Sequence, residues 1–222
     1  MGANLDFTFD DTVRTVAVYG GTFDPPTRAH AQLPLAVMPQ IGADRLLVIP
    51  AAASPFKPGG AIASDAQRLQ MLEFAFAGMP GVTVTRLELD RGGASYTVDT
   101  LRELRDAFPG ITFRLIIGAD QAASFHRWKQ AAEIIGLAPP AVMLRGGEGG
   151  QRDLLEQMAP HWSAGELESW RDRIVSVPAT DASSTEVREL LVEQEPDRCR
   201  LGELLDPAVL GYIREEGLYA GM

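Results

Sequence analysis

The residues best suited to chemistry lie close to the start of the chain. The stretch Gly20-Gly21-Thr22-Phe23-Asp24-Pro25-Pro26-Thr27-Arg28-Ala29-His30 follows directly on the apolar run Val16-Ala17-Val18-Tyr19. The run reads as a buried strand, and the segment from Ala29 to about Val37 suits a helix. A strand, a Gly-rich turn and a helix start form a phosphate-binding geometry. Glycines let the backbone approach a ligand closely, and the helix N-terminus presents unpaired N–H groups with a partial positive charge. Thr27 and His30, three residues apart, are expected to face one bound phosphate chain together. The turn is neither G-x-x-x-x-G-K-[ST] nor G-x-G-x-x-G, so a P-loop and a dinucleotide oxidoreductase are both disfavoured.

The elements that must position these residues alternate along the chain. Strands are expected at Thr15–Tyr19, Arg45–Ile49, Thr83–Leu89, Thr112–Ile117, Ala141–Leu144 and Ile174–Val177. Helices are expected at Ala29–Met38, Asp65–Ala77, Thr97–Ala107, Ala119–Gly136, Gln151–Met158, Thr185–Val192 and Pro207–Glu216, the last with Pro at its start. This pattern predicts an α/β fold, a doubly wound parallel sheet covered on both faces. Such sheets bind ligands beyond the carboxyl ends of their strands. Three candidate segments sit there: Gly20–His30, Pro50–Lys57 and Gly118–Asp120. The expected organisation is an N-terminal tail over 1–12 and a single domain over 13–222 with a helical C-terminal part.

Three more segments carry the reading further. Arg91-Gly92-Gly93-Ala94-Ser95-Tyr96-Thr97-Val98-Asp99-Thr100-Leu101 runs from a loop into a helix. Gly118-Ala119-Asp120 follows a strand, with Trp128 eight residues on. Ser183-Ser184-Thr185-Glu186-Val187-Arg188 again enters a helix. Thr97 and Ser184 also suit helix N-caps on their own account, and Asp99 suits the helix dipole.

With Thr27-Arg28-Ala29-His30 read as the nucleotidyltransferase signature (H/T)-x-G-H, the four segments in order resemble the bacterial nicotinate-nucleotide adenylyltransferases. The resemblance runs from about Val16 to Tyr219. It implies a Rossmann-like nucleotidyltransferase fold and an enzyme of NAD biosynthesis. Such an enzyme joins ATP and nicotinate mononucleotide into deamido-NAD and releases pyrophosphate, with Mg²⁺ bound with the ATP. By the same resemblance His30, Thr27 and Arg188 are catalytic. Gly20, Gly21, Thr22, Phe23, Asp120, Ser183, Ser184 and Thr185 hold ATP. Lys57, Ser95, Tyr96, Thr97 and Trp128 hold the mononucleotide, Trp128 by stacking on its ring. The chain departs from H-x-G-H at Thr27 and Ala29, and from the loop P-P-H-K at Ser54-Pro55-Phe56-Lys57. Thr27 matches the related pantetheine-phosphate adenylyltransferases. The alternatives are a relative acting on nicotinamide mononucleotide or phosphopantetheine, and a nucleotide-binding relative without turnover.

Composition narrows the partners. The 222 residues are 45% hydrophobic and 23% charged, with a net charge of −10. That balance disfavours a nucleic-acid polymer, which needs a basic face, but not small anions held by a local cation. Cys199 is the one cysteine, which excludes an intramolecular disulfide and a Cys-based metal site. No apolar run approaches the ~18 residues of a membrane span. The polar, acidic start lacks the pattern of a signal peptide, so a cytoplasmic location is expected. A homo-oligomer stays open.

Overall fold

The computed structural model describes residues 5–54, 60–144, 147–178, 180, 182–193 and 197–220, without the side chains of 147 and 148. In chain order the elements are β1 (Thr15–Gly21), α1 (Arg28–Val37), β2 (Arg45–Pro50), α2 (Asp65–Ala75), β3 (Val82–Val84), α3 (Leu87–Arg91) and α4 (Thr97–Ala107). Then come β4 (Thr112–Gly118), α5 (Ala119–Ala123), α6 (Ala131–Leu137), β5 (Pro140–Leu144), α7 (Gly147–Met158) and α8 (Ala164–Arg171). The chain continues through β6 (Ile174–Ser176), α9 (Ser184–Val192), α10 (Arg198–Leu204) and α11 (Pro207–Glu215).

The six strands form one sheet in the order β3-β2-β1-β4-β5-β6, and every pair is parallel. The strands read as continuous apolar runs because both faces are covered. Ala17, Tyr19, Leu46, Val48 and Ile116 pack on one side with residues of α1, α2, α9, α10 and α11. Val16, Val18, Leu47, Ile49, Leu115 and Ile117 pack on the other with α4, α6, α7 and Trp170 of α8. The order reverses between β1 and β4, so the crevice expected of a doubly wound sheet opens at the carboxyl ends of those two strands. In register, Tyr19 lies beside Ile116 and Gly21 beside Pro50. The turns after β1, β2 and β4 are therefore brought together.

Two expected elements differ. The strand expected over Thr83–Leu89 stops at Val84. Thr85 N still donates to Val48 O at 3.0 Å, but the Thr85 hydroxyl accepts from Leu87 N at 3.2 Å and so starts α3. The helix expected over Ala119–Gly136 is broken into α5, a 3-10 turn at Phe125–Arg127, and α6. Ser124 Oγ donates back to the Asp120 and Gln121 carbonyls, and Gln130 takes a left-handed conformation at φ 54°. The 3-10 turn drives Phe125 wholly into the core, edge-on to Trp170 at 5.1 Å. Besides α3, two helices, α8 and α10, lie where the sequence pattern predicts none. Ser163 and Asp197 cap them, accepting from Glu166 N and Arg200 N.

Residues 5–13, most of which read as a tail, lie on the sheet's α4 side. Leu5, Phe7, Phe9 and Val13 join that core, with Phe9 5.0 Å from Phe108 ring to ring. The Asp6 carboxylate accepts from the Thr85 hydroxyl and from Arg86 N.

Candidate active site

Two chambers open at the crevice and share a ridge. Gly20, Gly21 and Thr22 from the end of β1, with Asp120 and Gln121 from the start of α5, line both. One chamber, about 270 Å³, is walled by Ser95, Tyr96, Thr97 and Trp128. The other, about 420 Å³, is walled by Phe23, Ala29, His30, Ser184, Thr185 and Arg188.

His30 sits in the first turn of α1. Thr27 N donates to His30 Nδ1 at 3.0 Å, and the Thr27 hydroxyl is 2.8 Å from the same nitrogen. A main-chain N–H can only donate, so Nδ1 is the bare nitrogen of the neutral ring and Nε2 carries the proton. The imidazole thus presents an N–H donor on the edge turned away from Thr27. Phe23 stands edge-on to the same ring at 5.4 Å. Phe23 is itself held at φ 51°, a left-handed conformation rare for a bulky residue. The turn needs glycine before it: a Cβ on Gly21 would lie 2.9 Å from the Phe23 ring.

Thr27 is set back from the chambers. It is 1% exposed and lines neither chamber. The first position of the motif meets the histidine ring with both its N–H and its hydroxyl. Ser183 is likewise off the chamber walls, capping α9 by accepting from Glu186 N at 3.1 Å. Ser184 does line the wall, with its hydroxyl on the Pro25 carbonyl at 2.8 Å. Arg188, one turn along α9, donates to the Asp24 carbonyl at 2.5 Å and to the Thr185 hydroxyl at 3.2 Å. Asp120 reaches back over the end of β4, where a Cβ on Gly118 would meet its Oδ1 at 2.7 Å. Lys57 and Phe56 lie outside the described residues.

In the Trp128 chamber, Ser95 fastens its loop to the end of β2. Its hydroxyl accepts from Ala52 N and its N–H donates to Ala53 O. Tyr96 and Thr97 open α4, so the chamber meets a helix N-terminus. Trp128 stacks one face on Phe125 at 4.9 Å and 28°, which fixes the indole plane. Asp99, outside the wall, is paired with Lys129 at 2.8 Å and Arg102 at 3.3 Å. The hydrogen bond from Lys129 is the main reason its carboxyl sits below the usual range.

Two supporting residues carry no signal in the sequence. Arg68 of α2 is wholly buried. Its guanidinium donates to the Thr22 carbonyl at 2.7 Å, to the Ala51 carbonyl at 2.7 Å and to Asp65 at 2.6 Å. It therefore clamps the turn after β1, which forms part of the ridge, to the turn after β2, which walls the Trp128 chamber. Asp24 is 6% exposed. Its carboxylate accepts from Ile62 N, Ala63 N and the Tyr219 hydroxyl, at 2.7, 3.1 and 2.7 Å. Burial, and then the Asp24 carboxylate, hold the Tyr219 phenol far above its ordinary pKa, so it stays a donor. An aspartate in a Gly/Pro turn and an arginine on a helix both read as solvated charges until the fold shows their partners.

Residues 18–190 match the cytidylyltransferase-like family. The chain belongs to that family. It is 35% identical over 212 residues to a "Probable nicotinate-nucleotide adenylyltransferase" of Chromobacterium violaceum, covering 92% of this chain and 98% of that protein. A protein of the same name from Marinobacter nauticus is 36% identical over 210 residues, covering 91% and 95%. Among solved structures, the nicotinic acid mononucleotide adenylyltransferase of Plasmodium falciparum complexed with NaAD has a TM-score of 0.68 at 18% identity, covering 93% of this chain and 97% of that one. The expected nucleotidyltransferase fold is thus borne out. Among the described residues, no helix is long and apolar enough to cross a membrane.

Proposed function

We propose that this protein transfers the AMP group of ATP to nicotinate mononucleotide, giving deamido-NAD and pyrophosphate. The observation that carries the reading is the pair of chambers meeting on one ridge at the sheet's reversal point. Two ligands held there face each other across Gly20–Thr22, as a group transfer between them requires. The relatives' shared name gives the substrates.

A phosphate oxygen of the mononucleotide attacks the α-phosphorus of ATP, and the bond from that phosphorus to pyrophosphate breaks. The phosphomonoester is already largely ionised near neutral pH, its second pKa being ~6, so no general base is needed. The protein's work is to align two anions and stabilise the charge that builds on the α-phosphate and the leaving group. His30 donates from Nε2, neutral and fixed in tautomer by Thr27. The main chain at Gly21–Thr22, held by Arg68, and the start of α1 add N–H groups. Arg188, with Ser184 and Thr185, holds the pyrophosphate end. Trp128 stacks on the pyridine ring, and the first turn of α4 faces its carboxylate.

Mg²⁺ would enter on the triphosphate and neutralise its charge. Such an ion keeps several waters and needs only one or two carboxylates from the protein. Asp120, on the wall of both chambers, fits that need; Asp24 does not, because its carboxylate already accepts three hydrogen bonds. A cytoplasmic location fits the same role. The decisive test is pyrophosphate release from ATP plus nicotinate mononucleotide with Mg²⁺. No release with nicotinate mononucleotide, alongside release with nicotinamide mononucleotide or phosphopantetheine, would transfer the assignment to that substrate.

A further inference from the structure

The chamber proposed for the pyridine ring has an unfavourable charge balance for an acid. Two carboxylates line it, Glu88 and Asp120, and among its described lining residues Lys129 is the sole cation. Glu88 is 8% exposed and already partnered. It accepts from the Thr100 hydroxyl at 2.6 Å and lies 3.8 Å from Arg91, which also pairs with Glu103 at 3.1 Å. Those four groups satisfy one another and offer nothing to a ligand.

Lys129 is differently placed. Its ammonium lies 4.4 Å above the Tyr96 ring and 2.8 Å from Asp99. Its side chain is 42% exposed, on a flexible stem. Asp99 does not depend on it alone, because Arg102 stands 3.3 Å away on the other oxygen. Arg102 is locked in turn by two 2.7 Å hydrogen bonds to Glu133. The ammonium can therefore turn from Asp99 to an incoming carboxylate while Asp99 keeps a cation. The Tyr96 face lies along that path and holds the charge throughout.

We propose that the Lys129 side chain is the specificity determinant that selects a pyridine ring bearing a carboxylate over one bearing a carboxamide. The inference rests on the reading that this chamber takes a pyridine mononucleotide. Main-chain N–H groups at the start of α4 favour a carboxylate too, but they also donate to the carboxamide oxygen. An ammonium gains a full charge partner only from the acid.

The test is titration calorimetry of nicotinate mononucleotide and of nicotinamide mononucleotide into the full-length protein, as wild type, Lys129→Met and Lys129→Arg. The methionine keeps an apolar stem on Tyr96. Wild type should bind the acid more tightly. Lys129→Met should lower the acid-to-amide affinity ratio roughly five- to twentyfold, a charge-assisted contact discounted for its exposure. The amide affinity should move by less than about twofold, and Lys129→Arg should keep most of the ratio. A ratio within about twofold of wild type in Lys129→Met overturns the assignment. So does equal loss of both ligands, which marks a structural role, and so does a wild type that binds neither mononucleotide. A shifted ratio in a protein that releases no pyrophosphate upholds Lys129 and refutes the transfer reaction instead.

Discussion

Arg68→Met separates the support of the site from its chemistry. Methionine matches the length of the stem and removes the guanidinium. Three hydrogen bonds go with it: those to Thr22 O, Ala51 O and Asp65. The Asp65 side chain is 53% exposed and turns to water at little cost. The two carbonyls face a site where arginine is wholly buried, and neither can be removed by mutation. A buried acceptor left unmade costs ~1–3 kcal/mol, so the pair costs ~2–6 kcal/mol. Against that, a buried cation with an unpartnered Nε disappears, and apolar replacement of such a charge returns ~1–2 kcal/mol. Taking the middle of each range, ~4 less ~1.5, the net expectation is a loss of about 2–3 kcal/mol, or about 4–12 °C in melting temperature for a chain of this size. The variant Arg68→Lys keeps a charge but puts all its donors on one nitrogen, where arginine meets the two carbonyls from two, so it should recover under half of the loss. Thermal unfolding followed by circular dichroism measures this. Turnover assayed well below the melting point should still fall about tenfold, because Thr22 leaves its place on the ridge. A melting temperature within about 1 °C of wild type would refute the clamp.

Four further outcomes follow from the site. His30→Ala should lower turnover by roughly 10²–10³, the scale for one preorganised donor, with ATP affinity changed far less; single-turnover kinetics beside equilibrium binding would expose a purely structural histidine. Thr27→His, which the motif H-x-G-H recommends on sequence grounds, should instead destabilise the fold by ~1–3 kcal/mol and lower activity, because the position is 1% exposed; full activity at wild-type stability would return Thr27 to the ligand. Arg188→Ala should weaken ATP binding about ten- to a hundredfold, read by equilibrium binding, and an unchanged affinity would leave Arg188 only its contacts to Asp24 and Thr185. Asp99 has a folded-state pKa below its unfolded value, so its contribution is present above about pH 4 and is lost as pH falls through the folded value. The stability gap between wild type and Asp99→Asn should therefore shrink below about pH 4, and a gap constant from pH 3 to 6 would count against the ion pair.

The parts of the fold fixed by local pattern were legible. Apolar runs mark β1, β2, β4 and β5, and the helix expected over Thr97–Ala107 is α4. What failed was set by contacts far along the chain. Val82-Thr83-Val84-Thr85 continues to Leu89 with strand-like composition, yet the Thr85 hydroxyl serves Asp6, 79 residues away, and the start of α3. The long helix after Gly118 satisfies periodicity, yet Phe125 is drawn into the core against Trp170 and the helix breaks around it. The sheet order is not written in any local segment. It is that order that puts β1 beside β4 and creates the crevice.

The same division applies to the site. Residues that touch the chambers were found because their types match a chemistry: Gly20 to Thr22, His30, Trp128 and Arg188. Residues that orient them stayed hidden, because a carboxylate or guanidinium looks solvated until its partners are known. Asp24 meets Tyr219 across 195 residues, and Arg68 meets Thr22 across 46. This also explains how a chain of net charge −10 can take two anionic ligands. Two arginines near the Trp128 chamber are matched by carboxylates: Arg91 by Glu88 and Glu103, Arg102 by Glu133 and Asp99. Arg188 instead meets a carbonyl and a hydroxyl, both neutral, and Arg68 shares its charge between two carbonyls and a half-exposed Asp65. Arg188, on the wall of the His30 chamber, is therefore a local cation whose partners among the described residues are neutral, within a chain that is acidic as a whole. A local cation of that kind can hold a small anion, while a net charge of −10 disfavours a polyanion.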